Sequence, residues 1–329
     1  MTIKTILGLC IFIFPLSLFS LTYHWEKIQL IPHPVYMEKG KPLQTVMVGG
    51  ISGLKSDANY VVVAAAGGVF LSQDGGKTML DISESFKNNF NKRVDVISKN
   101  NIVVGKNNGL YITHNGGKSW SRAPIGGKYG PWLVTGIAHT RNSIYVASKS
   151  GLYFSRDLGE HWEKPKCNWT FCSADTFHFY IKNPHDIYLG SKRDGVFRST
   201  DEGITWSLIA PGQYNDYLVT KKYIFMSADV DGFERINRAT KKRDFIFKNQ
   251  KDFRSYGLAK TNDNTLYVGD DEGDIFQSLD GGLHWHQIAK HLIKDGTVNV
   301  IYAPTKNVIY VGIQPHGLWK GTLVTQHKK

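Results

Sequence analysis

The chain has 329 residues, 41% hydrophobic and 21% charged, which excludes wholesale disorder and allows a large core. Its 33 glycines, 16 tyrosines, 17 phenylalanines and 8 tryptophans favour many short strands and tight turns over long helices. The formal net charge of +12 points to an acidic partner, although the lysines are scattered rather than in runs, which a solvated surface also explains.

The first element in chain order is apolar. Lys4 precedes an apolar run over 6–19, with Ser17 and Ser20 near its end. This reads as a secretory signal over 1–20, cut after Ser20, with a single domain over 21–329. Left uncut, the run is short for a membrane span but would serve as an anchor. The expected location is secreted or periplasmic. Export also argues against nucleic acid as the partner, despite the charge. Beyond the signal only Cys167 and Cys172 remain. Their spacing has no second pair and no histidine at zinc-site distance, so neither metal nor cofactor is expected. Two readings stay open for them: a disulfide closing a short loop, or two free thiols.

A repeat then runs through the rest of the chain. Short apolar strands are expected at 60–64, 102–105, 144–147, 187–190, 223–226, 266–269 and 309–312. After each comes a turn and a second strand, opening at Gly68, Gly109, Gly151, Gly195, Gly232, Gly273 and Gly317. Five units continue into one motif: SQDGGKTM at 72–79, THNGGKSW at 113–120, SRDLGEHW at 155–162, STDEGITW at 199–206 and SLDGGLHW at 278–285. Its acidic or amide position, Asp74, Asn115, Asp157, Asp201 and Asp280, recurs after 41, 42 and 44 residues and then after 79. The long gap holds a unit, around 233–247, that keeps its strands and has lost the motif. A period near forty residues with four short strands per unit predicts an all-β, seven-bladed β-propeller with four-stranded blades. The seventh unit ends without a motif or a fourth strand. Residues 24–28 resemble a strand that follows a motif, as His24-Trp25-Glu26-Lys27 compares with His161-Trp162-Glu163-Lys164. The N-terminal strand is therefore expected to close the last blade and remove its open edge.

Physical reading makes the five Asp/Asn residues structural. An Asx side chain bonds backbone N–H groups of its own turn, glycine supplies positive φ, and the tryptophan packs between sheets. A catalytic reading is disfavoured, since one site has no use for five copies around a ring.

These motifs resemble the Asp-box, or BNR repeat, of sialidases, xyloglucan-cleaving glucanases, sorting-receptor propellers and the photosystem II assembly/stability factor-like family. The resemblance covers nearly the whole chain beyond residue 20 and implies the propeller fold, with the boxes away from the ligand face. The sialidase F-R-I-P segment is missing, and the xyloglucanases resemble two fused propellers. The size matches the assembly-factor type, which implies a non-enzymatic scaffold or assembly factor that binds a protein, such as a membrane-complex subunit. The alternative is a glycan-binding or glycan-hydrolysing propeller.

If the boxes join the third and fourth strands, the opposite face carries two other loop sets. The connections between second and third strands hold Lys106, Lys149, Lys192 and Arg193, then Asp229 and Asp231, then Asp270, Asp271 and Glu272, and His316. A basic half beside an acidic third would steer a partner of complementary charge. The connections between blades carry Tyr36, Tyr129, Trp132, Trp169, Phe171, Tyr214, Tyr217, Phe253 and Tyr256, about half of them expected to pack beneath the loops. A bond between Cys167 and Cys172 would hold Trp169 outward. For the glycan alternative, Asp229, Asp270, Asp271 and Glu272 supply the carboxylates that hydrolysis needs.

Overall fold

The structure, a computed structural model, describes residues 22–30, 37–38, 41–42, 47–83, 91–125, 131, 133–165, 176–227, 232–247 and 254–324. Among these there is no helix. Seven antiparallel sheets stand in a ring, and the inner strands of neighbouring blades touch all the way round. Blade 1 comprises Val48–Leu54, Asp57–Ala65, Gly68–Ser72 and Leu80–Asp81, innermost to outermost. Blade 2 comprises Asn91–Val96, Ile102–Lys106, Gly109–Thr113 and Ser121–Arg122. Blade 3 has Val134–His139, Ile144–Ser148 and Gly151–Ser155, and its fourth strand shrinks to a single bridge between Phe154 and Glu163. Pro165, two residues on, has no N–H to extend that pairing.

Blade 4 comprises Thr176–Asn183, Asp186–Ser191, Gly195–Ser199 and Ser207–Pro211. Blade 5 comprises Asp216–Val219, Tyr223–Ser227, Phe233–Asn237 and Arg243–Phe245. It keeps four strands although its box is gone. Blade 6 comprises Ser255–Lys260, Leu266–Asp270, Ile275–Ser278 and His286–Ala289. Blade 7 comprises Thr297–Thr305, Val308–Gln314 and Gly317–Val324, completed by the N-terminal Thr22–Ile28. That last pairing runs from Thr22 opposite Val324 to Ile28 opposite Leu318, so the two ends of the chain clasp the ring as expected.

The second strands read as continuous apolar runs because both of their faces are covered. Ile102–Lys106, Ile144–Ser148 and Asp186–Ser191 are buried at every residue. The core is correspondingly divided into seven clusters, one for each seam between blades. In the seam of blades 1 and 2, Tyr60, Val62 and Ala64 meet Val94, Ile102 and Val104. Each fully buried aliphatic side chain contributes roughly 1.5–3 kcal/mol, so the seams hold the ring.

Candidate functional site

The motif residues form one repeated turn between third and fourth strands. In the first, the Ser72 hydroxyl donates to Asp74 Oδ1 at 2.8 Å and accepts from Gly76 N at 2.7 Å. Asp74 accepts from Thr78 N at 2.9 Å and from the Thr78 hydroxyl at 2.7 Å. The other turns repeat this with Thr113 and Asn115, Ser155 and Asp157, Ser199 and Asp201, and Ser278 and Asp280. Backbone and side-chain hydrogen bonds hold the Asp74 carboxyl down at about 2; at Asp280 such bonds outweigh burial and again leave the pKa at about 2. These carboxylates are occupied by their own turns.

The second glycine of each box sets its blade against the preceding one. A Cβ at Gly282, where φ is +89°, would lie 2.2 Å from Phe225 of blade 5. The box tryptophans fill the same seams. Trp120 packs against the core of blades 1 and 2 and donates its Nε1–H to Ile82 O at 2.8 Å. Trp206 is buried in the seam of blades 3 and 4.

Antiparallel alternation puts the turns between second and third strands at the opposite end of the blades. There Lys149, Lys192, Arg193 and Glu272 are exposed, and Asp271 is half-buried. Lys149 belongs to blade 3, Lys192 and Arg193 to the adjacent blade 4, and the acidic pair to blade 6. Lys106 and Asp270 differ from the sequence expectation. Both end a second strand rather than opening a turn, a position covered by blades on both sides. Lys106 is 1% exposed, its ammonium lies 4.9 Å from the Tyr111 ring centre, and burial pulls its pKa down to about 8. Asp270 is 5% exposed and accepts from the backbone N–H groups of Glu272 and Asp274. Burial outweighs those bonds and pushes its pKa up to about 7. The equivalent residues Ala65, Ser148, Ser191, Ser227 and Ile313 are also buried, and their small or apolar character was the available signal.

Asp229, Asp231, Trp169, Cys167 and Cys172 lie outside the described residues, as do Tyr36, Tyr129, Trp132, Phe171 and Phe253. Tyr214 and Tyr217 are core, with the Tyr214 hydroxyl donating to Glu234 and the Tyr217 hydroxyl to His178 O. His316 is half-buried.

The ring axis carries a polar network that sequence reading missed. Arg93 of blade 2 donates to Gly49 O of blade 1 and Thr135 O of blade 3, each at 2.7 Å. Asp95 accepts from Ser52 at 3.3 Å and pairs with His139 Nδ1 at 2.7 Å, joining the same three blades. Burial opposes charge on His139, but the Asp95 carboxylate outweighs it and raises the pKa. Asp216 of blade 5 pairs with His178 of blade 4 at 2.6 Å and accepts from Leu258 N of blade 6 at 3.1 Å. Lys260 donates to the Tyr180 hydroxyl at 2.7 Å, spanning blade 5. The signal lay in polar residues interrupting inner strands, but their partners sit one or two repeats away. Chemically, this arrangement fixes blades and leaves the Asp95 and Asp216 carboxylates engaged.

The model of the BNR/Asp-box repeat matches residues 111–122 and 197–208, the second and fourth of these turns. The chain is a seven-bladed propeller that carries Asp-box repeats. No curated protein sequence matches it. Among solved structures, this Asp-box propeller is similar to YCF48 bound to a D1 peptide, at 15% identity over 93% of this chain and 100% of that one, TM-score 0.68. It is also similar to YCF48 from Cyanidioschyzon merolae, at 16% identity over 91% and 98% of the two chains, TM-score 0.65. A GH74 xyloglucanase from Xanthomonas campestris follows at 14% identity and TM-score 0.66, covering 91% of this chain but 53% of the enzyme. At these identities the likeness is one of fold. The Asp-box propeller spans about half of that glucanase.

Proposed function

We propose that this Asp-box propeller is an exported, non-enzymatic scaffold that binds a protein partner on the face opposite its boxes. The carrying observation is the exposed cationic group Lys149, Lys192 and Arg193 on adjacent blades, with exposed Glu272 two blades further on the same face. Such a two-signed rim orients a partner of complementary charge and speeds its encounter. Two similar propellers are YCF48 structures that match along their whole length, one of them holding a D1 peptide. The apolar run over 6–19 supports export. Against hydrolysis stands the engagement of Asp95 and Asp216 by histidine and hydroxyl or backbone donors. A hydrolase needs one carboxyl free as acid and another free as base or nucleophile.

The test is binding of the native partner, captured with the full-length chain, by Lys149→Glu, Lys192→Glu and Arg193→Glu combined. The reading expects salt-sensitive binding that this triple reversal weakens by about tenfold or more. Unchanged affinity would contradict it, and release of reducing sugar from xyloglucan would replace it with the glycan reading.

A further inference from the structure

The box face differs where blade 5 has lost its box. Elsewhere a bulky side chain plugs the seam. Trp120, Trp162, Trp206 and Trp285 do so from boxes, Met79 does so for blades 7 and 1, and Trp25 for blades 6 and 7. Among the described residues, the seam of blades 4 and 5 has no such plug. The third and fourth strands of blade 5 are joined instead by a short turn, in which Asn237 Oδ1 accepts from Ala239 N and Thr240 N.

A groove of about 660 Å3 opens there. Among the described residues, Arg198, Lys221, Lys222, Arg238 and Lys241 line it, and no carboxylate does. Its apolar floor includes Ile209 and Ile224. The two arginines are held in place. Arg238 donates to Thr220 O at 2.9 Å and to the Tyr188 hydroxyl. Arg198 donates to Asp186 at 2.7 Å, which neutralises one of the five charges. Both guanidinium groups reach the same ring, 5.3 Å and 5.8 Å from the centre of Tyr188. Lys221, Lys222 and Lys241 are exposed around them.

We propose that this groove binds the phosphoryl group of a phosphate-bearing ligand. Two guanidinium groups held beside the same tyrosine ring, with three lysines around them, concentrate positive charge in one place, which suits a compact, multiply charged anion. An extended acidic peptide would spread its carboxylates at about 3.3–3.6 Å per residue and match so local a cluster poorly. The lysines add point charges that follow the anion without demanding one geometry. The inference concerns the other face of the ring and does not depend on the protein partner proposed above.

The experiment titrates the full chain with inorganic phosphate, followed by phosphorus NMR and calorimetry. Saturable binding in the low-millimolar range or tighter is expected. Arg238→Gln should weaken it by about tenfold or more, as loss of one charged, hydrogen-bonded contact does. Since Arg238 also ties two strands, Lys221→Glu with Lys241→Glu is the second variant, on exposed side chains, and should weaken binding at least as much. Lys192→Glu, on the opposite face, should leave it unchanged.

Vesicles of phosphatidylglycerol and phosphatidylcholine identify the source. Retention on vesicles that phosphate displaces and the lysine reversals abolish assigns the site to a phosphodiester headgroup. Phosphate binding without vesicle retention assigns it to a soluble phosphate compound. No saturable phosphate binding, or binding that survives the lysine reversals, would overturn the proposal. So would tighter, groove-dependent binding of hexaglutamate than of phosphate.

Discussion

Gly281 and Gly282 separate the two tasks of an Asp-box. Both have positive φ, +72° and +89°. A Cβ at Gly281 meets nothing within 4 Å, whereas at Gly282 it would lie 2.2 Å from Phe225 Cζ and 3.3 Å from Leu266 Cδ1. Gly281→Ala should therefore cost only the left-handed backbone conformation, about 1–2 kcal/mol. Gly282→Ala carries the same cost and also forces blades 5 and 6 apart, which adds about 1–3 kcal/mol of overpacking. The expected totals are about 1–2 and about 2–5 kcal/mol. Urea unfolding followed by tryptophan fluorescence measures both. Trp285 reports on the seam directly, since its ring meets Phe225 edge-on at 6.2 Å. Equal destabilisation by the two variants would refute the view that the second glycine sets blade against blade. A neutral Gly282→Ala would refute it as well.

The remaining predictions concern packing and charge. Trp206→Ala should destabilise by about 3–5 kcal/mol, because it empties the buried seam of blades 3 and 4; a calorimetric loss below 1 kcal/mol would contradict the wedge role. Asp74 and Asp280 have folded pKa values near 2, below their unfolded values. Their contribution is present above about pH 4 and lost as pH falls toward 2, so the urea midpoint should drop over that window and drop less in Asp280→Asn. Asp270 has the opposite sign, since its folded pKa is raised to about 7. Its contribution is present below about pH 4 and lost as pH rises to 7, at up to about 1.4 kcal/mol per pH unit. Asp270→Asn keeps an acceptor for Glu272 and Asp274 N–H, and should flatten that decline; an unchanged pH profile would count against the buried carboxyl.

What was legible in the sequence is what the chain writes locally. Each box closes within eight residues, from Ser72 to Met79 or from Ser278 to Trp285, so its hydrogen bonds recur wherever its letters recur. The N-terminal closure was legible because His24-Trp25-Glu26-Lys27 repeats the letters of a fourth strand. Lys106 and Asp270 were misplaced by a single residue of register, enough to move a side chain from turn to seam. Sequence spacing could not show that Arg93 meets Gly49 and Thr135, or that Asp216 meets His178 and Leu258, because the packing of one blade against the next creates those contacts. The basic groove was hidden for a related reason. The missing tryptophan of blade 5 was visible, but Arg198 belongs to the blade before it.

The most direct measurement of the central claim is site-specific photocrosslinking in the native host. A photoreactive amino acid would replace Lys192, on the face opposite the boxes, or His185, an exposed residue on the box face. The account predicts a protein adduct from position 192 that high salt suppresses, and none from position 185. An adduct from position 185 alone, or none from position 192, would contradict it.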